Sequence, residues 1–166
     1  MKKRLLVMTM VCSVFVLLAG CETEKNRLDQ EVRRLCAKDG GVKVYETVKL
    51  PAEQFDQYGR PQFGREGGLQ IPSKKDATKS DEYYYVWETV YLTKGGATAD
   101  DYELRIWRDN YKVIRSSDGK VLGESVSYTR RGDGFPGPWH PSAFSCSDIS
   151  KHPALETSIF VKENDK

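Results

Sequence analysis

Apolar and polar positions along this chain follow two different periods, and the change of period separates its elements. From Arg27 to Lys38, Leu28, Val32, Leu35 and Cys36 recur at helical spacing and form one apolar stripe. Asn26 is placed to cap that helix, Arg33, Arg34 and Lys38 suit its negative end, and Gly40-Gly41 supplies the stop. The period then drops to two. Val42, Val44, Val48 and Leu50 alternate with Lys43, Thr47 and Lys49, which predicts a half-buried strand over 42–50, with Glu46 interrupting its apolar side. Pro51 ends it. Residues 51–81 contain Pro51, Pro61, Pro72 and several glycines with little periodicity, and read as a long loop.

The strongest strand pattern is Glu82 to Thr93. Tyr83, Tyr85, Trp87 and Tyr91 share one face, while Tyr84, Val86, Val90 and Leu92 share the other. Apolar residues on both faces predict a central strand. Tyr102–Arg115 reads as the next strand, with a bulge expected at Asp109-Asn110. Ser117-Asp118-Gly119 reads as a hairpin turn, and Val121–Arg130 as the last long strand. From Gly132 to Cys146 the proline-rich run GDGFPGPWHPSAFSC excludes a central strand and predicts an extended loop. Residues 155–166 read as a frayed tail. The fold expected is α+β: an N-terminal helix packed on an antiparallel four-stranded meander, with a disulfide-pinned C-terminal loop.

The first twenty residues follow a different logic. A basic tip, Lys2-Lys3-Arg4, precedes an apolar run from Leu5 to Leu18, which ends in Leu18-Ala19-Gly20-Cys21. This has the three parts of a secretory signal peptide and is too short for a spanning helix of about 20 residues. The tetrapeptide resembles the lipobox of bacterial lipoproteins. That resemblance implies cleavage before Cys21, acylation of the Cys21 thiol and of the new amino group, and attachment to a lipid bilayer. Two or three acyl chains give a stable anchor, at about 0.8 kcal/mol per buried methylene. The expected organisation is a signal peptide (1–20), a tether (21–26), a single domain (27–154) and the tail. Glu22 rather than Asp follows the cysteine, which by the rule of that class favours the periplasmic face of an outer membrane in a Gram-negative envelope.

The formal charge of +2 changes under that reading. Without the three basic residues of the tip, 23 basic residues face 24 acidic ones, a net of −1. No basic field remains to attract nucleic acid. The four cysteines divide as well. Cys12 leaves with the signal peptide, Cys21 is lipidated, and Cys36 and Cys146 remain in an oxidising compartment, where a disulfide between them is expected.

Motifs for chemistry are sparse. His140 and His152 are the only histidines and lack helical ligand spacing, so no metal or other cofactor is expected. Ser125, Ser127, Ser142, Ser145 and Ser147 are candidate nucleophiles with His140 as base, but no G-x-S-x-G elbow is present. Arg131-Gly132-Asp133 reads as a polar turn. Trp87, Trp107 and Trp139 with nine tyrosines offer aromatic binding material. Phe135, Trp139, His140 and Phe144, on the proline-rich loop, are the predicted partner-binding residues.

The segments LCAKDGGVKVYETV, DEYYYVWETV, SSDGKVLGES and GPWHPSAFSC are similar to small, uncharacterised bacterial lipoproteins, a resemblance that brings no activity with it. The expectation is a non-enzymatic, membrane-anchored binding or structural module of the cell envelope, contacting an envelope protein or glycan. The alternatives are an envelope hydrolase using His140 and a nearby serine, or an inhibitor or exclusion factor acting through the 132–146 loop.

Overall fold

The structure, a computed structural model, describes residues 24–63, 71–93, 103–132 and 142–163. Helix α1 spans Glu24–Asp39. It begins earlier than apolar periodicity predicts, so residues 24–26 of the expected tether are helical and Asn26 lies inside the helix rather than capping it. Ion pairs take over where the apolar stripe stops. Glu24 faces Arg27 at 3.5 Å and Lys25 faces Asp29 at 3.4 Å. Such pairs contribute about 0.2–0.5 kcal/mol each. Glu24 also lies at the positive end of the helix dipole.

The predicted strand 42–50 is two strands. β1 (Gly41–Val44) and β2 (Val48–Leu50) belong to different sheets. The break comes where the Tyr45 and Glu46 amides both donate to the Leu122 carbonyl, at 2.8 and 3.0 Å. Glu46 then pairs with Arg115 and, at 2.5 Å, with Lys120. The residue that interrupts the apolar alternation is thus the pivot on which the chain leaves the first sheet.

That sheet is built on β3 (Tyr83–Tyr91), β4 (Arg105–Arg115) and β5 (Val121–Arg131), an antiparallel meander. β1 adds antiparallel to the far side of β5, giving the order β1-β5-β4-β3. A short strand, β6 (Ala143–Ser145), pairs with β5 at Thr129–Arg131. The α+β class, with one main helix on a mostly antiparallel sheet, is therefore what the chain adopts. The turn after β4 carries Gly119 at φ 70°, where a side chain would be strained. No bulge falls at Asp109-Asn110. Both residues keep regular register with β3 and β5, and the irregularity lies instead between Val113 and Ile114.

β3 is the edge of this sheet and not its centre. Two apolar faces predict burial only if both are covered. Here Tyr83 is buried, while Trp87 is 59%, Val90 53%, Leu92 48% and Tyr91 39% exposed.

The C-terminal segment is not a frayed tail as far as Glu163. After the short helix α2 (Cys146–Ile149) comes helix α3 (Leu155–Ile159), which leads into β7 (Phe160–Lys162), and β7 pairs in parallel with β2. Leu155, Ile159 and Phe160 join Leu50, Ile71, Tyr83, Val113 and Leu122 in one core cluster. Phe160 packs edge-on against Tyr83 and Phe63, with centroids 4.9 and 5.0 Å apart. Gly123 permits this approach: a Cβ there would lie 2.8 Å from the Lys43 carbonyl oxygen and 3.0 Å from Leu155.

Two clusters thus sandwich the sheet. On one face α1 sets Leu28 and Val32 against Ile106, Val126 and Tyr128. The Cys36–Cys146 disulfide, with Cα atoms 5.6 Å apart, ties the end of α1 to the start of α2. On the other face, α3 and β7 cover only the end that carries Tyr83, Tyr85 and Val113.

Candidate functional site

The half of that second face beyond α3 and β7 carries two exposed rings, Trp87 and Tyr91. Its composition follows from register. Trp87 stands opposite Tyr111, Thr89 opposite Asp109, and Tyr91 opposite Trp107. Cross-strand partners point to the same side, so four aromatic rings flank one carboxylate. β5 continues the face with Ser125, Ser127 and Thr129 opposite Tyr111, Asp109 and Trp107.

Asp109 organises this face. Its Oδ1 accepts from the Trp87 indole Nε1 at 3.0 Å and from the Thr89 hydroxyl at 2.6 Å. Its Oδ2 accepts from the Trp107 Nε1 at 2.8 Å. Hydrogen bonds to a charged acceptor are the stronger kind. Both indoles are therefore held with their N–H groups on Asp109, Trp87 with its ring exposed and Trp107 half-buried. The rings form two groups on either side of Asp109: Tyr91 with Trp107 at 6.1 Å, and Trp87 with Tyr111 at 5.8 Å and Tyr111 with Tyr85 at 5.1 Å between centroids. The Arg105 guanidinium lies 6.0 Å from the Trp107 ring. At the covered end, the Tyr111 hydroxyl donates to Glu156 of α3 at 2.5 Å. Burial first, and then this bond, push the Tyr111 phenol well above its ordinary range.

The arrangement presents aromatic area with few rotamers to lose, flanked by hydroxyls that can donate or accept. The sequence offers Trp87 and Trp107, with Trp139 and the tyrosines, as material for a binding surface, but points first to Phe135, Trp139, His140 and Phe144. The legible signal was Trp87, Thr89, Trp107 and Asp109 at alternate positions of two neighbouring strands.

The predicted loop residues fare differently. Cys21, Phe135, Trp139 and His140 lie outside the described residues. Phe144 is described, on β6, and is half-buried rather than a free surface anchor. It packs against the α1 cluster, and the Arg33 guanidinium sits 4.6 Å from its ring centroid. Arg130 is fixed at the root of the same loop. Its side chain is 1% exposed and donates from Nε to Asp29 at 2.7 Å. Its Nη1 donates to the carbonyls of Gly132 (2.6 Å) and Ser142 (2.7 Å) and to the Ser142 hydroxyl (2.9 Å). Arg130 thus joins both ends of the 133–141 segment to α1.

Most candidate serines have structural partners. Ser145 caps α2 in a box with Asp148, and Ser147 bonds to Ser145 at 2.7 Å. Ser125 and Ser127 line a cleft of about 290 Å³ together with Ser150 and His152. There the Ser150 hydroxyl lies 2.7 Å from His152 Nε2. A nucleophile and a base meet, but among the described residues no carboxylate bonds the imidazole to orient it. No group of three or more potential metal ligands occurs among the described residues. No helix among them is long and apolar enough to cross a membrane. No known protein family, no curated protein and no solved structure matches this chain.

Proposed function

We propose that the chain is a lipid-anchored, non-enzymatic binding module of the bacterial cell envelope, and that its contact surface is the open aromatic face of β3 and β4. The observation that carries this reading is Asp109 holding the Trp87 and Trp107 indoles by their N–H groups, with Trp87 and Tyr91 exposed on the half of the sheet face that α3 and β7 do not reach. Surface aromatics fixed this way cost polar bonds to arrange and add little to the core, which is the economy of a recognition surface. The anchor is supported by the tip, apolar run and Leu18-Ala19-Gly20-Cys21 pattern. The partner is a protein of the same compartment, since the face offers apolar rings rimmed by hydroxyls and no concentrated charge.

The test is site-specific photocrosslinking in the native envelope. A probe at Thr129, on the same face as Trp107, should give a discrete adduct with a different protein, and Trp87→Ala should reduce it at least tenfold. A probe at Tyr58, exposed elsewhere, should not form it. An adduct indifferent to Trp87→Ala would overturn the assigned surface. Labelled palmitate checks the anchor separately: the native chain should incorporate it and Cys21→Ala should not.

A further inference from the structure

β3 carries a feature that aromatic binding does not use, namely an edge that, beyond Tyr85, no strand among the described residues pairs. Its inward backbone groups serve β4, as the Leu92 amide does in donating to the Ile106 carbonyl at 2.8 Å. The outward groups belong to the odd positions. At Tyr85 they are already taken: its amide donates to Pro72 and its carbonyl accepts from Lys74, both at 2.9 Å. Beyond that point Trp87, Thr89 and Tyr91 present outward amides and carbonyls that no strand among the described residues pairs.

Proteins usually blunt such an edge with proline, a bulge or charge. Residues 86–92 contain no proline and β3 keeps unbroken register with β4. The segment has a single charge, Glu88, which Lys112 neutralises at 3.0 Å. Both of its faces are exposed and apolar.

We infer that a second copy of this chain occupies this edge, with the two β3 strands pairing antiparallel about a two-fold axis at Thr89. The register follows from chemistry on the strand itself. With the axis at Thr89, Thr89 exchanges both backbone bonds with its counterpart, and Trp87 of each copy does so with Tyr91 of the other. Glu88 then stands opposite Val90, so no like charges meet. An axis at Glu88 sets carboxylate against carboxylate. An axis at Trp87 brings in Tyr85, whose edge groups are occupied. An axis at Val90 or Tyr91 brings in Thr93, which lies past the end of β3 and whose hydroxyl already accepts from the Ile106 amide at 3.1 Å. Only the Thr89 axis uses all three free positions. It also sets an aromatic pair on each side of the axis, the kind of cross-strand contact that stabilises sheets. The inference stands on this edge and not on the proposed binding partner.

The experiment uses the full chain in its native envelope. In a hydrogen-bonded antiparallel pair, facing Cα atoms lie about 5.5 Å apart, within disulfide reach. Thr89→Cys should therefore crosslink on mild oxidation to a band of twice the chain mass that reduction collapses. Tyr58→Cys should stay single, and Val90→Cys should crosslink several-fold less. No doubled band at Thr89→Cys, or equal yield at all three positions, overturns the proposal. A variant without a new thiol guards against misfolding. By light scattering after detergent extraction the native protein should have twice the chain mass, and Thr89→Lys, which sets two ammonium groups face to face, should have one. A native protein of single mass, or a Thr89→Lys protein that stays double, overturns it equally.

Discussion

At the scale of single residues, stability concentrates in a few polar groups placed where they cannot be hydrated. Arg130 is the clearest case: a guanidinium at 1% exposure, with one carboxylate and two carbonyls around it. Removing one partner of a buried pair costs more than the pair contributes, because the other charge stays buried. Asp29→Ala should therefore destabilise the protein by about 3–5 kcal/mol, read from the denaturant midpoint. Tyr111 gives a pH signature. Its phenol is raised by burial and by the bond to Glu156, so the folded chain holds the proton after the unfolded chain, near the ordinary phenol value of about 10, releases it. Its contribution is complete below about pH 10 and is lost as pH rises above that. Thermal unfolding from pH 9 to 11 should show a steeper loss in the native chain than in Tyr111→Phe. Equal slopes would contradict the assignment. None of this was legible beforehand, because Arg130 and Tyr111 look like ordinary polar positions of alternating strands until their neighbours are known.

At the scale of elements, period and punctuation were informative where one element was decided locally. Leu28, Val32, Leu35 and Cys36 predicted α1, and the Ser117-Asp118-Gly119 turn joins β4 to β5 as read. The failures share a cause. β2 and β7 are three residues each and are stabilised by pairing with one another across more than a hundred residues of sequence. No local pattern distinguishes such a strand from a continuation or a frayed end. The consequence is measurable. A chain ending at Ala154 loses Leu155, Ile159 and Phe160 from the core, and should not fold to a protease-resistant domain. Phe160→Ala alone should cost about 3–5 kcal/mol.

At the scale of the whole molecule, the disulfide joins α1 to the last third of the chain. In the chain-entropy picture, closing a loop of this order contributes about 4.7 kcal/mol at most. Replacing Cys36 and Cys146 together by Ala should lower stability by up to that amount and leave circular dichroism unchanged if the two packed clusters suffice. Loss of the fold would show that they do not. The pairing itself was foreseen from cysteine count, because with Cys12 and Cys21 assigned elsewhere each remaining thiol had one partner.

The sequence by itself determined the α+β class, the helix, the hairpin and the cysteine pairing, because each depends on short-range period, turn chemistry or counting. Only the tertiary structure decided which strand is the edge and how much of a sheet face α3 and β7 cover. Tyr83 and Trp87 have the same local pattern, yet one is buried by Phe160 and the other is not. Burial depends on what arrives from elsewhere in the chain, and the segment that arrives here, Leu155 to Phe160, reaches only half of the sheet.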